Sequence, residues 1–419
     1  MWLGLAIFAA VYALLAVPRL GRRLREAATA RWGRWGALAT GRPGIALAGA
    51  LLVVLTLQVA PLDALRAIDL RILALLAGMM LLVAALDAAN AFAVLASALT
   101  RWLRTPAMLL AGSMLVVAVL SALVLNDAVV LFFTPVLVRA ARAMGASPVP
   151  FLVGEAIAAN LGSAATPTGN PQNAAIAAAR EFSFLEFTLP LLPVAALALV
   201  LGVGAALAFF WRDLGRARAA DAADAPPRAR ISNVPMLALA LAALALALAG
   251  FLLGPRVRVP LWLAALGAGA VALALAPAAR VSPLALARRV DMGILVFFVG
   301  LFVLLETVRA SGLLDRMADA LATMGSAGFV VGTAVLSNLV SNVPAVLLLL
   351  PTVESDAQAL LLAAASTFAG NATFLGSAAT VIVAETARHE GADFSVLQFT
   401  LLGLPLSVAT LVLAWGMLG

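Results

Sequence analysis

The chain reads as an all-α polytopic membrane protein made of two related halves, and three observations carry that reading. Hydrophobic residues are 64% of the 419 and charged residues 11%, against roughly 45–50% and ~25% in a soluble domain. Ala/Leu/Val runs long enough to cross a hydrocarbon core of about 30 Å as helices recur along the whole length. The second half also repeats motifs of the first in the same order. A water-soluble enzyme is excluded by the composition alone.

The first apolar run, Met1 to Val17, has no basic residue before it and is followed by Arg19, Arg22, Arg23 and Arg25. A signal peptide carries its charge in front of the apolar core, so a retained helix with its N-terminus outside is expected. Simple spans follow at 44–60, 72–89, 187–211, 235–253, 259–277, 292–309 and 395–418. The segments 107–141, 151–180 and 326–387 are interrupted by Asn, Asp, Gly, Pro and Thr. Orientation decides how these are threaded. With 107–141 and 326–353 as re-entrant hairpins, and 151–180 and 358–387 as broken crossing helices, 20 of the 27 arginines face the cytoplasm. A simple crossing at 107–141 spoils that positive-inside bias, so about 11 crossings with the C-terminus outside are expected. The address is a bacterial-type plasma (inner) membrane.

Charge counts remove other classes. All 27 basic residues are arginine, and the net charge of +7 sits in loops between apolar runs. That pattern orients a chain in a bilayer, so no nucleic-acid partner is expected. Cysteine is absent and the single histidine, His389, lies in a polar loop. No cofactor, catalytic residue or transition-metal site is expected, and an intramembrane hydrolase lacks its nucleophile and base.

The domain organisation follows from the repeat. Asp69 with Gly78 matches Asp291 with Gly300, and Ser121 to Asn126 with Pro135 matches Ser337 to Asn342 with Pro351. Asn160 to Gly169 matches Thr367 to Gly376, and Phe182-Ser183 with Pro193 matches Phe394-Ser395 with Pro405. Residues 1–211 form the N-terminal repeat, 212–234 a charged cytoplasmic linker with nothing to bury, and 235–419 the C-terminal repeat. The threading above sends the first hairpin in from the cytoplasm and the second from outside, so the repeats are inverted. Inverted repeats with broken helices characterise secondary transporters, whose sites lie at the repeat interface near the midplane.

Polar interruptions at matching depth then mark the site, because irregular backbone survives there only where it lines a cavity or is buried in protein. The first hairpin offers Ser121, Asn126 and Asp127; the second offers Ser337, Asn338, Ser341 and Asn342. Opposite them stand Thr166, Thr168, Gly169, Asn170, Gln172 and Asn173, and then Asn371, Thr373, Gly376 and Ser377. Freed carbonyls and Asn oxygens suit Na⁺, and freed amides suit an anion. Candidate substrate-binding residues are Ser121, Asn126, Thr166, Thr168, Gly169, Asn170, Asn173, Ser337, Asn342, Asn371, Thr373, Gly376 and Ser377. For the coupling ion they are Asp127, Asn126, Asn342 and Glu155. A carboxylate at membrane depth is costly and marks an ion or proton site. Asp127 has Val343 as its repeat partner and so breaks the symmetry; its blander role is a cap on the second half-helix. Asp87 and Glu306, near span ends, read as interfacial or paired.

These motifs resemble the ion transporter superfamily, which includes arsenite/antimonite permeases, sodium/proton antiporters of the NhaD type, citrate transporters and divalent anion/sodium symporters. Asn126-Asp127 before Thr134-Pro135, the Thr166–Asn173 run, Asn342-Val343-Pro344 and Asn371-Ala372-Thr373 are most similar to the arsenite-permease branch. The symporter branch carries Ser-Asn-Thr at both hairpin tips, where this chain has Leu125-Asn126-Asp127 and Ser341-Asn342-Val343. The resemblance implies a homodimer with a fixed scaffold and a moving transport domain. The expected function is coupled transport of a small anion or oxyanion, arsenite-like or carboxylate, with H⁺ or Na⁺ as the coupling cation. A sodium/proton antiporter and an anion channel are the alternatives.

Overall fold

The structure is a computed structural model that describes residues 2–16, 41–216 and 229–419. Arg19 to Arg34 and the middle of the charged linker lie outside the described residues. Among the described residues, seven helices are long and apolar enough to span a bilayer: α4 (Leu70–Ala88), α6 (Pro106–Leu123), α10 (Phe184–Phe209), α12 (Val234–Val257), α13 (Leu261–Leu275, extended by a 3₁₀ turn to Ala279), α15 (Met292–Ala310) and α20 (Val396–Leu418). Large apolar side chains on several of them face outward, Leu189, Val200 and Val412 among them. An apolar outer face of that extent fits lipid rather than water, and the chain is an integral multi-pass membrane protein.

The remaining helices are α1 (Trp2–Ala16), α2 (Arg42–Leu55), α3 (Pro61–Ala67), α5 (Ala91–Trp102), α7 (Asn126–Ala143), α8 (Val149–Ser163), α9 (Pro171–Ala179), α11 (Trp211–Arg216), α14 (Pro283–Ala287), α16 (Leu313–Val340), α17 (Asn342–Leu349), α18 (Asp356–Ala369) and α19 (Ala378–His389). The sequence reading does not anticipate α5. Its Phe92 stacks on Phe132 of α7 at 4.8 Å between ring centroids, which ties this short helix to the first hairpin. The end of the linker is held at the neighbouring turn, where Asn90 Nδ2 donates to Arg230 O at 2.9 Å.

Corresponding helices of the two halves start and pack alike. Asp69 Oδ1 accepts from the Arg71 amide and Asp291 Oδ1 from the Gly293 amide, each at 2.8 Å, capping α4 and α15. Ser183 and Ser395 cap α10 and α20, accepting from the Glu186 and Gln398 amides at 3.2 Å each; these are capping-box positions. The packing is crosswise. A Cβ at Gly78 of α4 would overlap the Ala265 carbonyl on α13. A Cβ at Gly300 of α15 would fall 2.6 Å from the Ala46 carbonyl carbon on α2. Glycine in both places lets helices from opposite halves approach backbone to backbone.

The centre is formed by α8 and α18. Residues 150–163 and 359–369 are buried without interruption, which is what a helix apolar on all faces requires. Their Ala and Gly content permits tight contacts, and a Cβ at Gly162 would overlap the Ala118 carbonyl of α6. The candidate site lies at the broken ends of these two helices.

Candidate functional site

Each of the two central helices stops, passes through a polar loop and restarts. Residues 164–170 separate α8 from α9, and 370–377 separate α18 from α19. Pro171 opens α9, where a missing amide is harmless. Asn170 caps it, its Oδ1 accepting from the Asn173 amide at 2.9 Å. The Asn173 Nδ2 donates to the carbonyls of Ser163 (3.0 Å), Ala164 (3.3 Å) and Thr166 (3.0 Å). The loop therefore wraps one amide side chain, which absorbs carbonyls freed by the end of α8.

The first hairpin docks its tip on this loop. The helices break at Val124-Leu125, one step before the polar pair, so that Asn126 and Asp127 open α7 instead of lying in the break. The Asn126 amide donates to Gly169 O at 2.9 Å, and the Asp127 amide to Asn126 Oδ1 at 2.9 Å. Thr166 Oγ1 donates to Ala122 O. Gly169 is needed for this approach, since a Cβ there would sit 2.8 Å from Ser121 O. Asp127 is half-buried in the first turn of α7, where the helix dipole favours a negative charge.

The second hairpin reaches its loop through other atoms. Its tip is the single residue Ser341, at φ 76° and ψ 160°, a backbone region almost restricted to glycine and costing about 1–3 kcal/mol. Asn338 Nδ2 donates to Ala369 O at 3.0 Å, and its Oδ1 accepts from Thr373 Oγ1 at 2.7 Å. With its amide nitrogen assigned toward the loop, Asn342 donates to Ser366 O at 3.2 Å and to Gly376 O. Gly376 and Gly370 give this tip room, a Cβ at either falling about 3 Å from Asn338 or Asn342.

Two reciprocal hydrogen-bond sets join the loops across the halves. Asn170 Nδ2 and Gln172 Nε2 donate to Thr367 Oγ1 of α18, both at 3.3 Å. Ser377 Oγ donates to Asn160 Oδ1 of α8, and Asn160 Nδ2 donates to Asn371 Oδ1, both at 2.8 Å. Asn160 and Thr367 hold the same repeat position, as do Asn170 and Ser377. Each central helix thus receives the cap residue of the other half's loop.

The structure brings Asn126, Thr166, Thr168, Gly169, Asn170 and Asn173 together with Ser121 on one side, and Asn342, Asn371, Thr373, Gly376 and Ser377 on the other. Ser121 Oγ and Ser337 Oγ are buried without a hydrogen-bond partner, as are Asn173 Oδ1 and Thr380 Oγ1. Both pairs are repeat-related. Unpaired oxygens in a buried polar site are acceptors a bound species can use. Glu155 stands apart from the loops, buried on α8 against Thr134 of α7. Asn160, Thr367, Asn338 and Gln172 are the members that the candidate set lacks; the first two could have been found as the polar positions that the repeat keeps inside otherwise apolar helices. Asp87 and Glu306 pair with Arg289 and Arg309.

Comparison with known proteins identifies the family of the chain. Residues 32–360 match the citrate transporter family. An uncharacterized transporter of Mycobacterium bovis is 28% identical over 98% of this chain and 96% of its own length. The silicon efflux transporter LSI3 of Oryza sativa subsp. japonica is 28% identical over 91% of this chain and 93% of its own. A putative transporter, arsB, of Dictyostelium discoideum is 29% identical over 42% and 31%. The relatives are transporters rather than enzymes, and they agree with the superfamily that the motifs resemble. The chain is a membrane transporter and belongs to the citrate transporter family.

Proposed function

We propose that the protein is a secondary active transporter of a small anion or oxyanion, coupled to H⁺ or Na⁺ through Asp127. The observation that carries this reading is the reciprocal bonding of the two broken-helix loops, with unpaired buried oxygens at repeat-related positions. A polar seam between two related halves is where secondary transporters place their substrate and ion sites. The two halves act as inverted repeats, with the linker cytoplasmic and both termini outside. Their hairpins and broken helices form a domain that moves as an elevator within a homodimer.

The polar groups at the site favour a weakly charged solute. Hydroxyls and amides dominate, Asp127 is the one carboxyl at the hairpin tips, and no arginine occurs in the loops or tips. The α7 amides that could hold a full anionic charge are partly occupied by Gly169 and Asn126. A hydroxylated oxyacid, or a carboxylate neutralised by a co-bound cation, suits this donor set better than a bare polyanion. A silicon efflux transporter among the relatives is in keeping with the first of these. The lone acidic residue at the tips also supports a sodium/proton antiporter as the second reading, with Asp127 binding the two cations in turn.

Purified protein in proteoliposomes, screened with arsenite, silicic acid, citrate, succinate and phosphate, each with and without a Na⁺ or pH gradient, tests the proposal. Gradient-dependent uptake of one solute is expected. Exchange of Na⁺ for H⁺ with no solute moved establishes the antiporter instead. Solute flux indifferent to both gradients establishes a channel.

A further inference from the structure

We propose that Glu155 is a proton-binding residue of the transport cycle, protonated in the conformation seen here, with the Thr134 hydroxyl as its switchable partner. The proposal rests on the transporter reading and adds to it a second acidic group, away from the hairpin tips.

Glu155 has no exposed surface. Its Oε2 lies 2.9 Å from Thr134 Oγ1, and its Oε1 has no partner. Thr134 Oγ1 also lies 2.7 Å from Val130 O. A hydroxyl carries one proton and can donate to only one of these oxygens. When it donates to Val130 O, the Glu155 contact is a hydrogen bond only if the carboxyl donates, so Glu155 carries the proton. When Glu155 loses that proton to water, the hydroxyl turns to donate to Oε2, and Val130 O keeps the amide that an α-helix supplies from Thr134. The ionised form then buries a charge with one hydroxyl donor and no cation, which is expensive. A metal cation fits poorly here, because hard ions take about six oxygen ligands and Thr134 is the polar partner on hand.

Surrounding helices bring no counter-charge. Those packed on α8 are α6, α7, α10, α18, α19 and α20, and α6 and α20 carry no ionisable residue. Arg139 and Arg142 of α7, Glu186 of α10, Asp356 of α18, and Glu385, Arg388 and His389 of α19 are all exposed. Asp127 lies seven residues before Thr134 on α7, roughly 10 Å along the axis. Glu155 therefore holds its proton between the hairpin tip and the arginine-bearing end of α7, and gives it up when a conformational change admits water.

Infrared difference spectroscopy of the full-length protein in lipid, during a pH titration, reads the carboxyl directly and independently of transport. The expected result is a protonated-carboxyl C=O band that titrates, is lost in Glu155→Gln and shifts in Thr134→Val. In proteoliposomes Glu155→Gln, which keeps the volume and a hydrogen bond to Thr134, should lose the response of uptake to a pH gradient, and Glu155→Asp should restore it in part. A spectrum unchanged by Glu155→Gln overturns the proposal. So does a folded Glu155→Gln protein with the wild-type pH response, since a purely structural Glu155 is replaced well by glutamine. Should no solute move at all, the transport reading fails while the carboxyl band still decides the protonation of Glu155. If Glu155→Gln does not fold, the shift or constancy of the band in Thr134→Val decides it.

Discussion

Asn160 and Thr367 hold equivalent positions near the ends of two buried helices, and each is the acceptor for the other half's loop. Replacing Asn160 with leucine strands Ser377 Oγ and Asn371 Oδ1 without that partner. Replacing Thr367 with valine strands Gln172 Nε2 and leaves Asn170 Nδ2 with Ser163 alone. Each change should destabilise the protein by about 1–3 kcal/mol, read as a lower unfolding temperature in detergent, and the two should be less than additive because both weaken one seam. Full additivity would mean that the two sets act separately. At this scale the sequence was partly legible. Asn126, Asp127 and the Thr166–Asn173 run stand out because polar groups in apolar runs are rare at membrane depth. Asn338 was overshadowed by Ser337, its neighbour. Which of two adjacent residues faces the loop depends on helix rotation, and a helix apolar on most sides gives no phase to read.

Breaks and caps at the scale of elements follow from local chemistry. Pro171 and the Asx cap at Asn170 restart one helix, and paired serines start α10 and α20. The exact hairpin break was not legible: Val124-Leu125 carries no turn signal, and the docking of Asn126 on Gly169 places the bend. The amphipathic α5 is likewise set by its packing on α7. Two glycines separate close contact from mere composition. Gly162→Ala forces a methyl into the Ala118 carbonyl and should cost about 1–3 kcal/mol. Gly204→Ala in α10 meets nothing within 4 Å and should be neutral or stabilising by up to about 1 kcal/mol. Thermal unfolding of the two variants in the same detergent checks the contrast. Equal effects would show that α6 and α8 are not held as closely as described.

For the whole molecule, composition alone dictates a bilayer, and the repeat foretells which elements correspond. The crosswise pairing of α4 with α13 and of α15 with α2 was not legible, because a repeat shows equivalence without showing which half supplies the neighbour. The close contacts at Gly78 and Gly300 supply that information. Together they make one structure in which the halves complete each other, with the candidate site on the seam and Asp127 as its asymmetric element. The most direct test of coupled transport through that seam is solute accumulation in proteoliposomes under an imposed Na⁺ or H⁺ gradient, with Asp127→Asn beside the wild type. The account predicts gradient-driven accumulation by the wild type and its loss in Asp127→Asn, with the variant's unfolding temperature retained. Accumulation by Asp127→Asn at the wild-type rate and to the wild-type level would contradict it.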